Sequence, residues 1–127
     1  MRPLATVLTL AAVILAGCQP ESVAAQDLIR PAMVERVEVV VLEPAPVQVR
    51  VVAHGYLPDG CTTIAGVEQA RDGAVFRVSI TTRRPAAAIC TQSITRFQEV
   101  FPLNIADAPA GDYTVDVNGK VQPFQLK

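Results

Sequence analysis

The amino-acid sequence predicts an all-β protein, a sandwich of two antiparallel sheets with about seven strands. Three observations predict it. From Val34 onward, apolar residues recur at every second position, the period of a half-buried strand. Those positions are filled mainly by Val, Ile, Phe and Tyr, which fit a pleated surface. The turn-forming pairs Asp72-Gly73 and Asn118-Gly119 fall between such runs, where a hairpin needs residues that tolerate positive φ.

The chain opens differently. Arg2 is followed by the apolar run Pro3 to Ala16, interrupted only by Thr6 and Thr9, and then by Gly17 and Cys18. A positive residue, a short apolar stretch and small residues before a cut make a signal peptide; a membrane span needs about 20 apolar residues. "LAGC" resembles the lipobox of bacterial lipoproteins. The resemblance implies that the Cys18 thiol is diacylated, that the chain is cut before Cys18, and that the new amino group is open to acylation as well. The thiol is the nucleophile that takes the lipid, and two or more acyl chains anchor stably where one does not. Gln19 follows, where aspartate would favour inner-membrane retention, so the outer membrane of a two-membrane cell is the expected address. The expected localisation is lipid-anchored, at the cell membrane or outer membrane, facing away from the cytoplasm.

Residues 1–17 are thus read as signal peptide, 18–33 as a lipidated tether and 34–127 as the sandwich domain. "QPESVAAQDLIRPAM" mixes polar residues, alanines and prolines without a period, as a flexible spacer does, although a short helix around Val23–Ile29 would also fit. Removing the first 17 of 127 residues leaves 110, enough for one domain with its own core.

The strands follow in order. Val37, Val39 and Val41 alternate with Arg36 and Glu38; Val47, Val49, Val51 and Ala53 alternate with Gln48, Arg50 and His54. A weaker strand covers "TTIAGVEQAR", with Gly66 marking a bulge. Phe76, Val78 and Ile80 point inward against Arg77, Ser79 and Thr81; Phe101, Leu103 and Ile105 follow, then Tyr113, Val115 and Val117. "AGDYTVDV" resembles the tyrosine corner of immunoglobulin-like domains, which implies that the Tyr113 hydroxyl ties back to the preceding loop. The fold expected is therefore an immunoglobulin-like antiparallel β-sandwich.

With Cys18 assigned to lipid, Cys61 and Cys90 remain, and outside the cytoplasm two thiols in a small domain form a disulfide. A reactive thiol or a metal ligand would have only His54, the single histidine, to help. A net charge of −1 without a basic patch argues against nucleic acid. No spacing supports a catalytic set: His54, Asp59 and Ser79 or Ser93 can be written as a triad without any context for it, and Asp107 and Asp112 are at best a weak calcium pair. No enzyme activity, cofactor or metal is expected.

The stretch "AHGYLPDGC" places Tyr56 and Leu57, two apolar residues, at a loop stiffened by Gly55, Pro58 and Gly60. They either cap the core or form an exposed hook. With Asp59, and with Arg83 and Arg84 drawn to the same end by the disulfide, they are the candidate binding loop. "GYLPDGCT", "FRV", a second cysteine and "AGDYTVDVNG" are similar to a set of small uncharacterised bacterial lipoproteins over most of residues 50–127. The function expected is a lipid-anchored envelope protein with a binding or structural role, its partners the membrane and an envelope protein. The alternative is an immunoglobulin-like protease inhibitor acting through loops at one end of the sandwich, on fold analogy alone.

Overall fold

The computed structural model describes residues 26–127, together with Gly17. The signal peptide and Cys18 lie outside the described residues. Eight strands form: β1 (Asp27–Pro31), β2 (Met33–Leu42), β3 (Gln48–Leu57), β4 (Thr63–Asp72), β5 (Val75–Pro85), β6 (Thr95–Pro102), β7 (Gly111–Val117) and β8 (Lys120–Leu126). One sheet has the order β2-β3-β6. The other is built around β5, with β4 along one edge and β7 then β8 beyond the other. That second edge of β5 is shared: β7 pairs with Val75–Val78 and β1 with Thr81–Pro85.

The alternation read from the sequence gives the core. Val49, Val51, Phe76, Val78, Ile80, Leu103, Val115 and Val117 are buried, and Ile105 packs against them half-buried. Arg36, Glu38, Arg77 and Ser79 face solvent. Register is fixed because slipping any strand by one residue would exchange these two sets. Phe76, Tyr113 and Phe124 meet with ring centroids 5.5–5.9 Å apart, and Arg71 lies over the Phe76 and Tyr113 rings at 5.5 and 5.6 Å. The Tyr113 hydroxyl donates to the Pro109 carbonyl at 2.5 Å, so the tyrosine corner is formed.

Four features differ from the sequence expectation. Asp27–Pro31 is a strand, so the sheet begins inside the stretch read as tether, and residues 26–29 are not helical. All five β1 residues are exposed and held to β5 by backbone pairing, which leaves no hydrophobic period to read. The pairing of β5 with β7 is parallel, a departure from a wholly antiparallel sandwich that alternation, which reports faces and not partners, does not reveal. The β4–β5 turn is centred on Gly73 and Ala74, because Asp72 still pairs with Val75; only Gly73 has positive φ, as when glycine takes the first central position. Gly55 belongs to β3, not to a loop.

Asn118-Gly119 is the hairpin turn expected, with φ of 48° and 90°, the type I′ pattern. Its side chain does more. The Asn118 amide oxygen accepts from Ile80 N–H at 2.9 Å, and its nitrogen donates to the Ile80 and Ala32 carbonyls at 2.8 Å each. Ile80 sits between the β7-paired and β1-paired parts of β5, where its carbonyl accepts from Ala32 N–H at 2.8 Å but its N–H pairs with neither strand. Asn118 fills that gap and fixes Ala32, the residue at which the chain crosses from one sheet to the other. On the opposite flank, Gln69 donates to Pro102 O at 2.8 Å and accepts from Asn104 N–H at 2.9 Å, a side-chain copy of a ladder step joining β4 to the β6 side.

Candidate functional site

The C-terminal ends of β3 and β5, the start of β1 and the start of β6 lie at one end of the sandwich, as the pairings Asp27↔Pro85 and Leu57↔Thr95 require. The β3–β4 and β5–β6 connections therefore meet there. Cys61 and Cys90 are joined as a disulfide with Cα atoms 5.5 Å apart, within the range bridging needs. The bridge leaves neither thiol free, which removes the nucleophile from the Cys61–His54 pairing. His54 instead has Nε2 3.4 Å from Glu38 Oε2 on the outer face of its sheet.

Asp59 organises the loop. Its Oδ1 accepts from the N–H groups of Cys61 and Thr62, both at 2.9 Å, and from the Thr62 hydroxyl at 2.8 Å. This is the local capping that aspartate offers a turn. Its Oδ2 lies 2.9 Å from Arg84 Nε, a charge contact whose N–H is not aligned as a hydrogen bond. Burial raises the Asp59 carboxyl, but the Thr62 hydroxyl, the two backbone N–H groups and the Arg84 charge together outweigh it and hold it below the ordinary carboxylate range. Gly60 N–H donates to Thr91 O at 2.8 Å, tying the two loops beside the disulfide.

A depressed carboxyl stabilises the fold above its unfolded pKa and stops doing so as pH falls through its folded one. Asp59→Asn keeps an acceptor for the loop but loses the charge facing Arg84. The thermal midpoint of the wild type is expected to exceed that of Asp59→Asn at neutral pH, and the gap to close below about pH 4. A gap that stays constant down to acid pH would show that the charge contributes nothing.

Arg84 continues the inward row of Phe76, Val78, Ile80 and Thr82 along β5, whereas Arg83 points to the other face and pairs with Asp27 at 3.4 Å. Neighbours in a strand face opposite ways, so the two arginines do not act on one ligand. Leu57 falls on the inward row of Val51, Ala53 and Gly55, and Tyr56 on the row of His54; both are half-buried. Tyr56, Pro58, Asp59 and Arg84 come together around a groove of about 530 Å³, with Leu28, Arg30 and Met33 on its other side. Leu28 and Met33 are 39% and 52% exposed, so the wall is apolar and open. Leu57 and Arg83 do not line it.

Sequence reasoning missed Leu28, Arg30 and Met33 because they lie in or beside the exposed strand β1. It also missed Thr62 and Thr82, both buried; the Asp-x-x-Thr spacing at Asp59 was a readable sign of the turn. A larger hollow, about 640 Å³, crosses β4, β5 and the β7–β8 turn. Two of its polar groups are already partnered: Asp116 faces Arg77 at 3.7 Å, and the Asn118 amide is spent on backbone.

Comparison with known proteins agrees with this architecture. A family model described as the ORF11 beta-sandwich domain matches residues 51–126, leaving β1, β2 and the start of β3 before the match. An uncharacterized 10.2 kDa protein in the HgiCIIM 5′ region of Herpetosiphon aurantiacus is 35% identical over 94 residues, covering 74% of this chain and 99% of the relative. Proteins of the same description from the HgiBIM and HgiEIM 5′ regions of that organism are each 36% identical over 81 residues, 64% of this chain and 98% of theirs. No solved structure gives a significant match.

Proposed function

The chain belongs to the ORF11 beta-sandwich domain family, and from that premise we propose that it is a lipid-anchored, non-catalytic binding protein of the cell envelope. The observation that carries the binding half is the groove between Leu28, Met33, Tyr56 and Pro58, floored by the Arg84–Asp59 contact. Apolar walls with an aromatic and an arginine are the composition of binding hot spots. The walls are stiff: Asp59 and the disulfide hold one loop, and β1 pairing holds the other side, so little conformational freedom is lost on binding. The partner is an envelope protein that offers an apolar side chain to the groove and an acceptor group to Arg30 at its rim. The anchoring half is supported by the "LAGC" stretch ending at Cys18.

Two measurements test the halves separately. The mature N-terminus should be Cys18 carrying lipid by mass spectrometry, and Cys18→Ser should leave the chain unprocessed or soluble. Tyr56→Ala is expected to reduce retention of envelope proteins by about tenfold or more while the thermal midpoint moves by only a few degrees, since Tyr56 lies outside the buried core. Equal retention at equal stability would move the site elsewhere. A large loss of stability would make Tyr56 a core cap.

A further inference from the structure

The end of the sandwich that carries the disulfide is also the end at which the chain enters the domain. Ala86 N–H donates to Gln26 O at 3.1 Å, which places the first residue of the domain beside the β5–β6 connection. That connection, residues 86–94, reads "AAAICTQSI" and carries no charge. Ile89 is 102% exposed at its tip and Ile94 71% exposed at its base. Ile29, at the start of β1, is exposed at the same end and faces away from the groove that Leu28 lines. Among the described residues eight large hydrophobic side chains are exposed, and Ile29, Ile89 and Ile94 share this one end outside the groove that Leu28 and Met33 line. Single exposed apolar residues are ordinary; a cluster at one pole is a mark of an interaction surface.

We propose that this pole lies on the lipid surface, with Ile89 and Ile94 inserted as a second membrane contact beside the acyl chains on Cys18. The inference rests on the anchoring half of the reading above. The argument for lipid as the occupant is one of reach. The stretch from Cys18 to Gln26 is eight residues, and a chain of that length spans at most about 28 Å. Strand β5 runs the height of the sandwich over 11 residues, about 33 Å. Turning the opposite pole to the membrane would require the chain to run back along the whole domain, and it is too short. The disulfide pole is held at the bilayer, where an uncharged loop with two isoleucines partitions into the boundary between headgroups and acyl chains. Arg83, Arg84 and Arg96, which flank the loop, are matched by Asp27, Asp59 and Glu35, so insertion depends on apolar burial and not on anionic lipid. Cys90, bridged to Cys61, fixes the tip so that it enters already formed.

The chain has no tryptophan, so one introduced at the tip reports on its own surroundings. The full lipidated protein carrying Ile89→Trp, and separately Ile94→Trp, is reconstituted into phosphatidylethanolamine–phosphatidylglycerol vesicles with and without brominated acyl chains. Ala74→Trp, in the exposed β4–β5 turn at the opposite pole, is the reference. The expected result is a blue-shifted emission for both tip variants, quenched by brominated lipid at least about threefold more strongly than the reference. Equal quenching at the two poles, with lipid confirmed on Cys18 by mass, overturns the insertion and leaves the anchor standing. A mature chain with no lipid on Cys18 overturns both. A blue shift present before vesicles are added, and growing with protein concentration, makes a second copy of the chain the occupant and overturns the proposal.

Discussion

Gly55→Ala is expected to destabilise the domain by about 3 kcal/mol, a large part of the 5–15 kcal/mol that holds a domain together. Gly55 is buried in β3 between β2 and β6. A methyl group built there would fall 2.0 Å from the Met33 carbonyl oxygen and 2.6 Å from the Phe97 ring. Neither can yield cheaply. The carbonyl belongs to the backbone just before the register shift at Val34/Arg36, and the ring packs against the core. The shift itself follows from this close approach: β2 crowds the one position in β3 that has no side chain. Gly66→Ala is the internal control. That glycine is also at a register shift, in β4, but its nearest non-neighbouring atom would be Thr81 Oγ1 at 3.9 Å, an ordinary contact. Urea denaturation should show a lower midpoint with an unchanged slope for Gly55→Ala and a change within about 0.5 kcal/mol for Gly66→Ala. Similar midpoints for the two variants would mean that β2 relaxes away from β3 without cost.

Gly55 also shows where the sequence stops being legible. A glycine weakens a strand pattern, and with Pro58 and Gly60 close behind it the whole stretch reads as a loop. The structure carries β3 two residues further, to Leu57, because the Gly is there for close approach and not for a turn. The inward rows of β3, β5 and β7 were legible because each has one buried and one wet face. The Asn118-Gly119 turn was legible because positive φ demands those residues. The three backbone bonds made by the Asn118 side chain were not, since they depend on β5 having two different partners on one edge. The disulfide followed from counting cysteines. The groove did not, because part of its wall comes from Leu28 and Arg30, brought in by a strand that buries nothing and so leaves no pattern, and part from Met33, exposed at the start of β2. Arg83 and Arg84 looked like one feature in sequence and are two in space, separated by the pleat.

Replacing both Cys61 and Cys90 by serine is expected to lower stability by roughly 3–4 kcal/mol, the chain-entropy value for a loop of this length, the two cysteines being separated by 29 residues. The loss should not be felt evenly. The core rows around Val51, Ile80, Val115 and Val117 do not touch the bridge, whereas the β3–β4 connection and residues 86–94 are joined across it and by the Gly60–Thr91 bond. Hydrogen exchange should therefore accelerate first in those two segments, at free energies well below global unfolding, while β3, β5 and β7 keep their protection until the whole domain opens. The Asp59 turn is the discriminating part. Its three acceptor bonds to Cys61 and Thr62 lie within one loop and survive the substitution if the loop is self-organised. If instead the Cys61 and Thr62 amides exchange as fast as those of residues 86–94, the bridge and not Asp59 shapes the groove wall at Pro58. In that case partner retention should fall in the double-serine variant as it does in Tyr56→Ala, at temperatures where the core is still folded. Uniform acceleration across all strands would deny the disulfide any local role and reduce it to a constraint on the unfolded chain.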